Sequence, residues 1–259
     1  MPKTFTENVF SSSYKDDFKD SDNYHRVLFN SGRALQAREL TQLQTIIQEE
    51  IGRFGRNIFK DGASVNPGGP TINTNYEFVK LDTSINTLPA TPSDLVGVEL
   101  TGGTSTVKAR VLEVVEAEGS DPATIYVQYT NTSGGAVGSN PVRFIAGETL
   151  TGGGETLTVQ STNTVANPAF GRGCKISNGA GDFFARGHFV FAPSQSILLS
   201  KYTRFPSKVV GFKVTEDIVT TADTTALYDN QGATPNLSSP GADRYRIQLT
   251  LTTQDQINS

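Results

Sequence analysis

The chain of 259 residues has no tryptophan, one cysteine and two histidines, and these shortages restrict its chemistry. A single cysteine, Cys174, permits neither an intrachain disulfide nor a cysteine-rich zinc site. Two histidines, His25 and His188, cannot form a multi-histidine metal site within one chain. We therefore expect Cys174 to be a buried, non-catalytic thiol, His188 to be structural and His25 to be an ordinary exposed or interface residue.

Charged residues are also scarce, at 19% of the chain, and the net charge is −4. The chain therefore has no excess of Lys and Arg with which to bind a phosphate backbone, and we expect no nucleic-acid partner. No apolar run reaches the length of a membrane span, and the N-terminus has no signal-peptide pattern. The abundance of glycine, with 25 residues, and of serine, threonine and asparagine suits extended β-structure with much of its surface in protein contacts.

Motifs of catalysis are missing as well. The sequence contains no nucleophile elbow, no Walker loop and no dinucleotide-binding glycine pattern. The acidic run 16–22 lacks the turn glycine and the bidentate glutamate of a calcium loop, which favours a solvated acidic tract. We predict that the protein is not an enzyme, with no catalytic, cofactor-binding or metal-binding residues and no cofactor.

The strongest local signal is an amphipathic helix within residues 31–62, with apolar residues at steps of three or four. Ser31 is the predicted N-cap, and Gly62 lies where the chain can turn sharply after the helix. The spacing is nearer an eleven-residue than a seven-residue repeat, which favours a nearly straight helix over a left-handed coiled coil. The stripe suits a contact with sister copies as well as packing on the chain's own sheet. The candidate interface residues are Leu40, Leu43, Ile47, Ile51 and Phe54 on the stripe, flanked by Arg33, Arg38 and Arg53.

The remaining sequence indicates a mainly β fold with this one long N-terminal α-helix. Residues 1–30 have the composition of an extended arm that orders against a partner. Short β-runs separated by glycine-rich turns fill residues 84–166, where 97–104 and 147–154 form a weak internal repeat. We predict a small all-β domain of sandwich or barrel type at 84–166, inserted into a discontinuous β domain formed by residues 63–83 and 167–259.

The sequence predicts one strand within the inserted block and one aromatic-rich strand outside it. Val142–Ile145 is predicted as a strand of the inserted block, and Phe183–Phe191 as one aromatic-rich strand of the surrounding domain. The inserted block is bounded by proline-rich segments at 88–92 and 167–168, which have the character of linkers. The last predicted strand of the surrounding domain is Tyr245–Leu251.

Six segments carry a family resemblance. They read Tyr24-His-Arg-Val-Leu-Phe-Asn-Ser-Gly-Arg-Ala-Leu-Gln-Ala-Arg-Glu-Leu-Thr-Gln-Leu-Gln, then Arg53-Phe-Gly-Arg-Asn-Ile-Phe-Lys-Asp-Gly, Val210-Gly-Phe-Lys-Val-Thr-Glu-Asp-Ile-Val-Thr, Leu227-Tyr-Asp-Asn, Pro235-Asn-Leu and Pro240-Gly-Ala-Asp-Arg-Tyr-Arg-Ile. In this order they resemble a group of virion proteins of tailed bacteriophages, described as structural, tail-fibre or baseplate proteins with a domain of unknown function. The resemblance spans 20–82 and 168–252 and excludes the block between them.

The resemblance implies a structural component of a phage tail, a fibre or baseplate subunit, whose N-terminal region anchors it to the particle or oligomerises. It implies a homo-oligomer, expected as a trimer, with other tail or baseplate proteins as partners. The expected location is the virion, after synthesis in the host cytoplasm. One alternative is a receptor-binding module for a host-surface glycan, based on the aromatic strand and the amide-rich block. Another is a polysaccharide depolymerase, based on family context and unassigned carboxylates.

Overall fold

A computed structural model describes residues 13–82, 92–131, 143–229, 233–236, 238 and 240–257. The predicted mainly β class is confirmed, because strands dominate and one helix exceeds a single turn in the described residues. The helices are α1 (Ala37–Ile58) and α2 (Gln254–Ile257). The strands are β1 (Pro70–Lys80), β2 (Glu99–Gly102), β3 (Lys108–Val115), β4 (Thr124–Asn131), β5 (Thr149–Gly152), β6 (Glu155–Thr158), β7 (Phe170–Asn178), β8 (Gly181–Ala185), β9 (His188–Ala192), β10 (Gln195–Ser200), β11 (Val210–Val219) and β12 (Arg244–Thr253).

Helix α1 begins later than its sequence pattern predicts, and Ser31 as its N-cap is wrong. The N-cap is Gln36, whose backbone N–H donates to Glu39 Oε2 at 2.8 Å while the Gln36 side chain accepts from the backbone N–H of Glu39. This reciprocal pair satisfies two of the free N–H groups at the helix start. Gly62, with φ of +86°, provides the predicted turn after the helix.

The chain divides into two compact units. The predicted insertion at 84–166 begins outside the described residues, and so does the linker at 88–91. The insertion of one β domain into another therefore stays a prediction. The first unit comprises Met1–Pro70, Ser177–Gln195 and Val209–Ser259, and the second comprises Thr71–Ile176 and Ser196–Lys208.

The second unit contains an eight-stranded sheet in the order β10-β7-β1-β4-β3-β2-β5-β6. Its core consists of fully buried aliphatic side chains from several strands, including Val79, Leu81, Ile125 and Leu157. The predicted strand at Val142–Ile145 is wrong in its described part, since residues 143–145 lie outside the strands, and Val142 is outside the described residues. Phe144 is nevertheless buried, so the apolar pattern there marks a core contact instead of a strand.

The predicted internal repeat is visible in this sheet. Strands β2 and β5 are antiparallel neighbours, and each begins shortly after a glycine with positive φ, Gly97 and Gly147. Leu100 and Leu150, at equivalent positions of the two copies, are both fully buried. The two similar elements therefore form adjacent parts of one core.

In the first unit, the prediction of a single strand over Phe183–Phe191 is wrong. The segment is a hairpin in which β8 and β9 pair antiparallel, with Phe184 opposite Phe189. Its turn places Arg186 at φ +55° and Gly187 at φ +84°. A hairpin turn of this kind needs positive φ at both central residues, and arginine is an uncommon residue in that conformation. The sequence therefore carries only half of the usual turn signal.

Strands β11 and β12 form a two-stranded ribbon whose apolar face covers one side of this hairpin. The ribbon pairs without interruption from Val210 opposite Thr253 to Val219 opposite Arg244. The Phe183 ring lies 4.6 Å from the ring of Phe212 in an edge-on arrangement. The shared core contains Phe183, Ala185, Val190, Ala192 and Leu249, with Phe212, Val214 and Ile247 packed against it.

Helix α1 covers the opposite side of the hairpin through a close contact at Gly55. Gly55 is buried, and a Cβ built on it would lie 2.3 Å from Cε2 of Phe184. The Phe184 ring is itself fixed between Phe59 and Phe189, at centroid distances of 6.0 and 5.4 Å. The helix approaches the hairpin this closely because it presents a hydrogen atom in place of a side chain.

We expect Gly55→Ala to destabilise the first unit by about 1–3 kcal/mol, because the new methyl group overpacks the Phe184 contact. Helix propensity alone would favour alanine over glycine by about 1 kcal/mol, so a loss of stability would come from the packing contact. Urea unfolding followed by circular dichroism would measure the loss. Gly211→Ala is the control, since no atom lies within 4 Å of a Cβ there. Equal stability of Gly55→Ala and the wild type would contradict the packing described here.

Candidate assembly interface

Helix α1 presents three different sides, and the first faces the β8–β9 hairpin. Gln48 donates from Nε2 to the backbone oxygen of Gly187 at 3.3 Å. A Cβ on Gly52 would lie 3.2 Å from that same oxygen. With Gly55 one turn further along, these positions form a row of small and polar residues. The hairpin side of the helix is therefore not its apolar stripe.

The second side of the helix is covered by the chain's own N-terminal arm. Asp16 is buried, and its carboxylate accepts hydrogen bonds from Thr45 Oγ1 at 2.5 Å and from the backbone N–H of Phe18. Asp17 accepts from Arg38 at 3.3 Å and from Gln42 at 3.1 Å. The interpretation of this acidic run as a solvated tract is therefore wrong for Asp16. The described part of the arm is ordered by its own helix.

Two of the predicted flanking arginines are used in this arm contact. Arg38 binds Asp17, and Arg53 forms an ion pair with Asp20. Arg33 is exposed. Ile46, which the stripe leaves out, is buried with 3% of its surface exposed, and Leu43 is half-buried. The arm thus uses a side of the helix that includes both charged and apolar residues.

The third side of α1 is an exposed apolar row. Its members remain between two-fifths and two-thirds exposed, although each is a large hydrophobic residue. Burying such side chains stabilises a protein by about 1.5–3 kcal/mol each relative to leaving them in water, so a row of them on one helix face is a candidate contact surface. The row consists of Leu40 (44%), Ile47 (51%), Ile51 (40%), Phe54 (66%) and Ile58 (57%).

The exposed row has heptad spacing once Gln44 is included. Gln44 is exposed and lies between Leu40 and Ile47. The steps along the row are then four, three, four, three and four residues, as in the a and d positions of a coiled coil. The expectation of an eleven-residue period included Leu43, which the arm side of the helix partly buries. A search for apolar spacing passes over Gln44 because it is polar. Its exposure in the folded chain identifies it as a member of the exposed row.

Cys174 is buried on β7, and burial raises the pKa of its thiol, as expected for an inert cysteine. Within the described ranges, no three of the Asp, Glu, His and Cys side chains are placed to bind a metal ion together. No described helix is both long and apolar enough to span a membrane.

The aromatic segment proposed for sugar stacking is divided between two environments. Phe183 and Phe184 are buried in packing contacts and offer no accessible ring face. Phe189 and Phe191, on β9, remain 44% and 62% exposed. Alternate residues of a strand share one face, so these two rings lie on the same side of β9.

The second unit contains a group of tyrosines whose hydroxyls resist ionisation. Burial, with a hydrogen bond to Glu113, raises the pKa of Tyr76. Burial likewise raises the pKa values of Tyr126 and Tyr129. For Tyr202, burial and a hydrogen bond to Asp121 raise the pKa to about 12.

We expect the second unit to lose stability above about pH 10, where tyrosines of an unfolded chain ionise. A group whose pKa is raised by folding stabilises the fold below its unfolded pKa, and this contribution disappears as the pH rises through its folded pKa. Absorbance titration of phenolate should therefore show late ionisation of Tyr76, Tyr126, Tyr129 and Tyr202, coincident with loss of near-ultraviolet circular dichroism. Ionisation of all tyrosines near pH 10 with the fold intact would contradict this.

Comparison with known proteins gives one partial match. Residues 12–86, which include most of the arm, α1 and β1, match the family model described as a domain of unknown function, DUF4815. No curated protein and no solved structure matches the chain. The family match thus covers most of the arm and the helix with the exposed row, and its description assigns no activity to them.

Proposed function

We propose that the protein is a structural subunit of a bacteriophage tail, in a fibre or a baseplate, and that copies associate through the exposed row of α1. The observation that carries the proposal is the combination of large apolar side chains, high exposure and heptad spacing on one helix face. The other two sides of the helix are occupied by the hairpin and the arm. The row is available for a partner with a similar helix.

A second copy of the chain is the partner that fits the row. Among the described residues, α1 is the only helix longer than one turn, so this part of the chain supplies no second helix to cover the row. In the heptad, Ile47 and Phe54 take d positions, while Gln44 and Ile51 take a positions. Isoleucine at both kinds of position favours three or four strands over two, and a polar residue at one a position fixes the register. These preferences support the expected trimer.

The wider assignment to a phage tail rests on the resemblance of the helix region and of the later segments to tailed-phage virion proteins. In this proposal the arm and α1 form the anchoring and oligomerising region, other tail or baseplate proteins are partners, and the protein is made in the host cytoplasm before it joins the virion. The mainly β remainder, with residues 84–166 as an inserted β domain, completes the subunit. No catalytic step is assigned to it.

The proposal predicts a fixed location in the phage particle. Purified virions that carry a tagged copy of the chain should show label on the tail by electron microscopy, in multiples that match the symmetry of the tail. Particles lacking the protein should have defective or missing tail structures. Normal infectious particles without the protein, and no label on wild-type particles, would remove the structural function.

A further inference from the structure

We propose that Lys80 and Asn167 form an intramolecular isopeptide bond between Lys80 Nζ and Asn167 Cγ. The two side chains are already in contact, because Lys80 Nζ donates a hydrogen bond to Asn167 Oδ1 at 2.9 Å. That oxygen is bonded to Cγ, so the amine lies next to the carbon it would attack. The inference concerns the second unit alone and does not depend on the proposed function.

Lys80 has the environment of a nucleophilic amine. It ends β1 and is buried, with 6% of its surface exposed. Its Nζ lies 4.1 Å from the ring centroid of Tyr202. Burial lowers the pKa of this amine, opposed by the negative charge of Asp121, and the net direction is downward. A lowered pKa increases the neutral fraction, which is the form of lysine that can attack a carbonyl carbon.

The fold holds the two reacting groups in register. The backbone N–H of Lys80 donates to the oxygen of Ala169 at 2.7 Å, which ties β1 to the segment that contains Asn167. The turn before Ala169 is closed by Thr164, whose Oγ1 accepts from the backbone N–H of Asn167 at 3.0 Å. Both backbones are therefore fixed before any bond forms, and such preorganisation accelerates reactions between neighbouring groups.

Charged neighbours complete the site. Asp121 accepts hydrogen bonds from Lys201 Nζ at 2.7 Å and from the Tyr202 hydroxyl at 2.6 Å. Burial acts to raise the pKa of Asp121, but these hydrogen bonds outweigh it and lower the pKa overall. Asp121 therefore positions the Tyr202 ring beside the amine, and Lys201 balances its charge. Lys201 is committed to this carboxylate, which leaves Lys80 as the amine that faces Asn167.

The reaction needs no co-reactant. The lone pair of the neutral amine attacks Cγ of Asn167, and the C–Nδ2 bond breaks. One proton passes from Nζ to the departing amide nitrogen, which leaves as ammonia. The product is a secondary amide that joins β1 covalently to the segment before β7. Because Asn167 is at the surface, the ammonia is released directly to solvent.

Intact-mass spectrometry of the purified full chain tests the proposal. The expected mass is lower than the sequence mass by one ammonia, and tryptic digestion should yield a branched peptide that joins Lys80 to Asn167. Lys80→Arg should restore the full mass, whereas Lys201→Arg, a matched change in the same cluster, should keep the deficit. If the reaction is incomplete after purification, the deficit should grow during incubation at alkaline pH, where more of the amine is neutral.

Two results would overturn the proposal. The first is a full sequence mass in the wild-type chain that persists through alkaline incubation. The second is a deficit that remains in Lys80→Arg, since succinimide formation at Asn178–Gly179 also releases ammonia and would then be its source. The first result is read on the wild-type chain and requires no variant to fold.

Discussion

Replacement of Glu148 by alanine is expected to destabilise the second unit by about 3 kcal/mol or more. Glu148 is buried, with 4% of its surface exposed, and its carboxylate accepts four hydrogen bonds. The donors are the backbone N–H groups of Thr104, Ser105 and Ile145 and the hydroxyl of Ser105. Each buried donor that loses its acceptor costs about 1–3 kcal/mol, so the effect exceeds that of an average substitution.

The reason for this sensitivity lies in the internal repeat. Glu148 follows Gly147 as Val98 follows Gly97, so the two residues occupy equivalent positions in the two copies. Val98 contacts the turn at Gly153, whereas Glu148 reaches the turn at 103–105. The first half of the repeat thus contacts the turn of the second half through the apolar Val98 side chain. The second half binds the turn of the first through the Glu148 carboxylate.

Three variants separate these contributions. Glu148→Val, which copies the other half of the repeat, should be destabilised nearly as much as Glu148→Ala, because valine fills space but accepts no hydrogen bond. Glu116→Ala is the control, since Glu116 is exposed on the same unit and its loss should change stability by about 0.5 kcal/mol or less. Urea unfolding would compare them, and equal stability of Glu148→Ala and Glu116→Ala would contradict the assigned hydrogen bonds.

The second large effect is expected on assembly. Ile47→Asp and Ile51→Asp, alone or together, should convert the oligomer to a monomer, because a charge on an exposed face costs little in the monomer but is desolvated in a contact between copies. Both residues are about half exposed, so the monomer should stay folded. Size-exclusion chromatography with light scattering measures the mass, and circular dichroism measures the fold.

Asn57→Asp provides the matched control for this experiment. It adds the same charge to an exposed position of the same helix, outside the row. Unchanged mass for Asn57→Asp with reduced mass for the isoleucine variants is the expected pattern. Retention of the full oligomer by both isoleucine variants would show that the copies associate elsewhere, whereas unfolding of the monomer would place these side chains in its core.

The helix could be predicted from sequence because its apolar residues recur with helical spacing, but the function of each side could not. The hairpin side consists of Gln48, Gly52 and Gly55, which carry no apolar signal. Their importance comes from the close approach of Gly187 and Phe184, which are far away in the chain. Arg38 and Arg53 were predicted to flank an interface, and a carboxylate of the arm binds each of them. Long-range partners of this kind cannot be inferred from spacing.

In the β-structure as well, local patterns were predictable from the sequence and long-range contacts were not. Alternating segments such as Tyr245–Leu251 predicted strands well, because period-two alternation is a local property. The hairpin at Phe183–Phe191 was missed because its turn places Arg186 in a conformation that arginine seldom adopts. Phe144 looked like part of a strand because burial in a loop gives the same apolar signal. The contact between Lys80 and Asn167 joins segments that only the folded sheet brings together.

The mass of the wild-type chain in solution shows whether copies of the chain associate. Light scattering over a range of concentrations should give a multiple of the 27.8 kDa chain mass, with three copies as the expected value. Cross-linking should then join the α1 helices of neighbouring copies along the exposed row. A mass of 27.8 kDa at every concentration, with the row still exposed to solvent, would contradict the account.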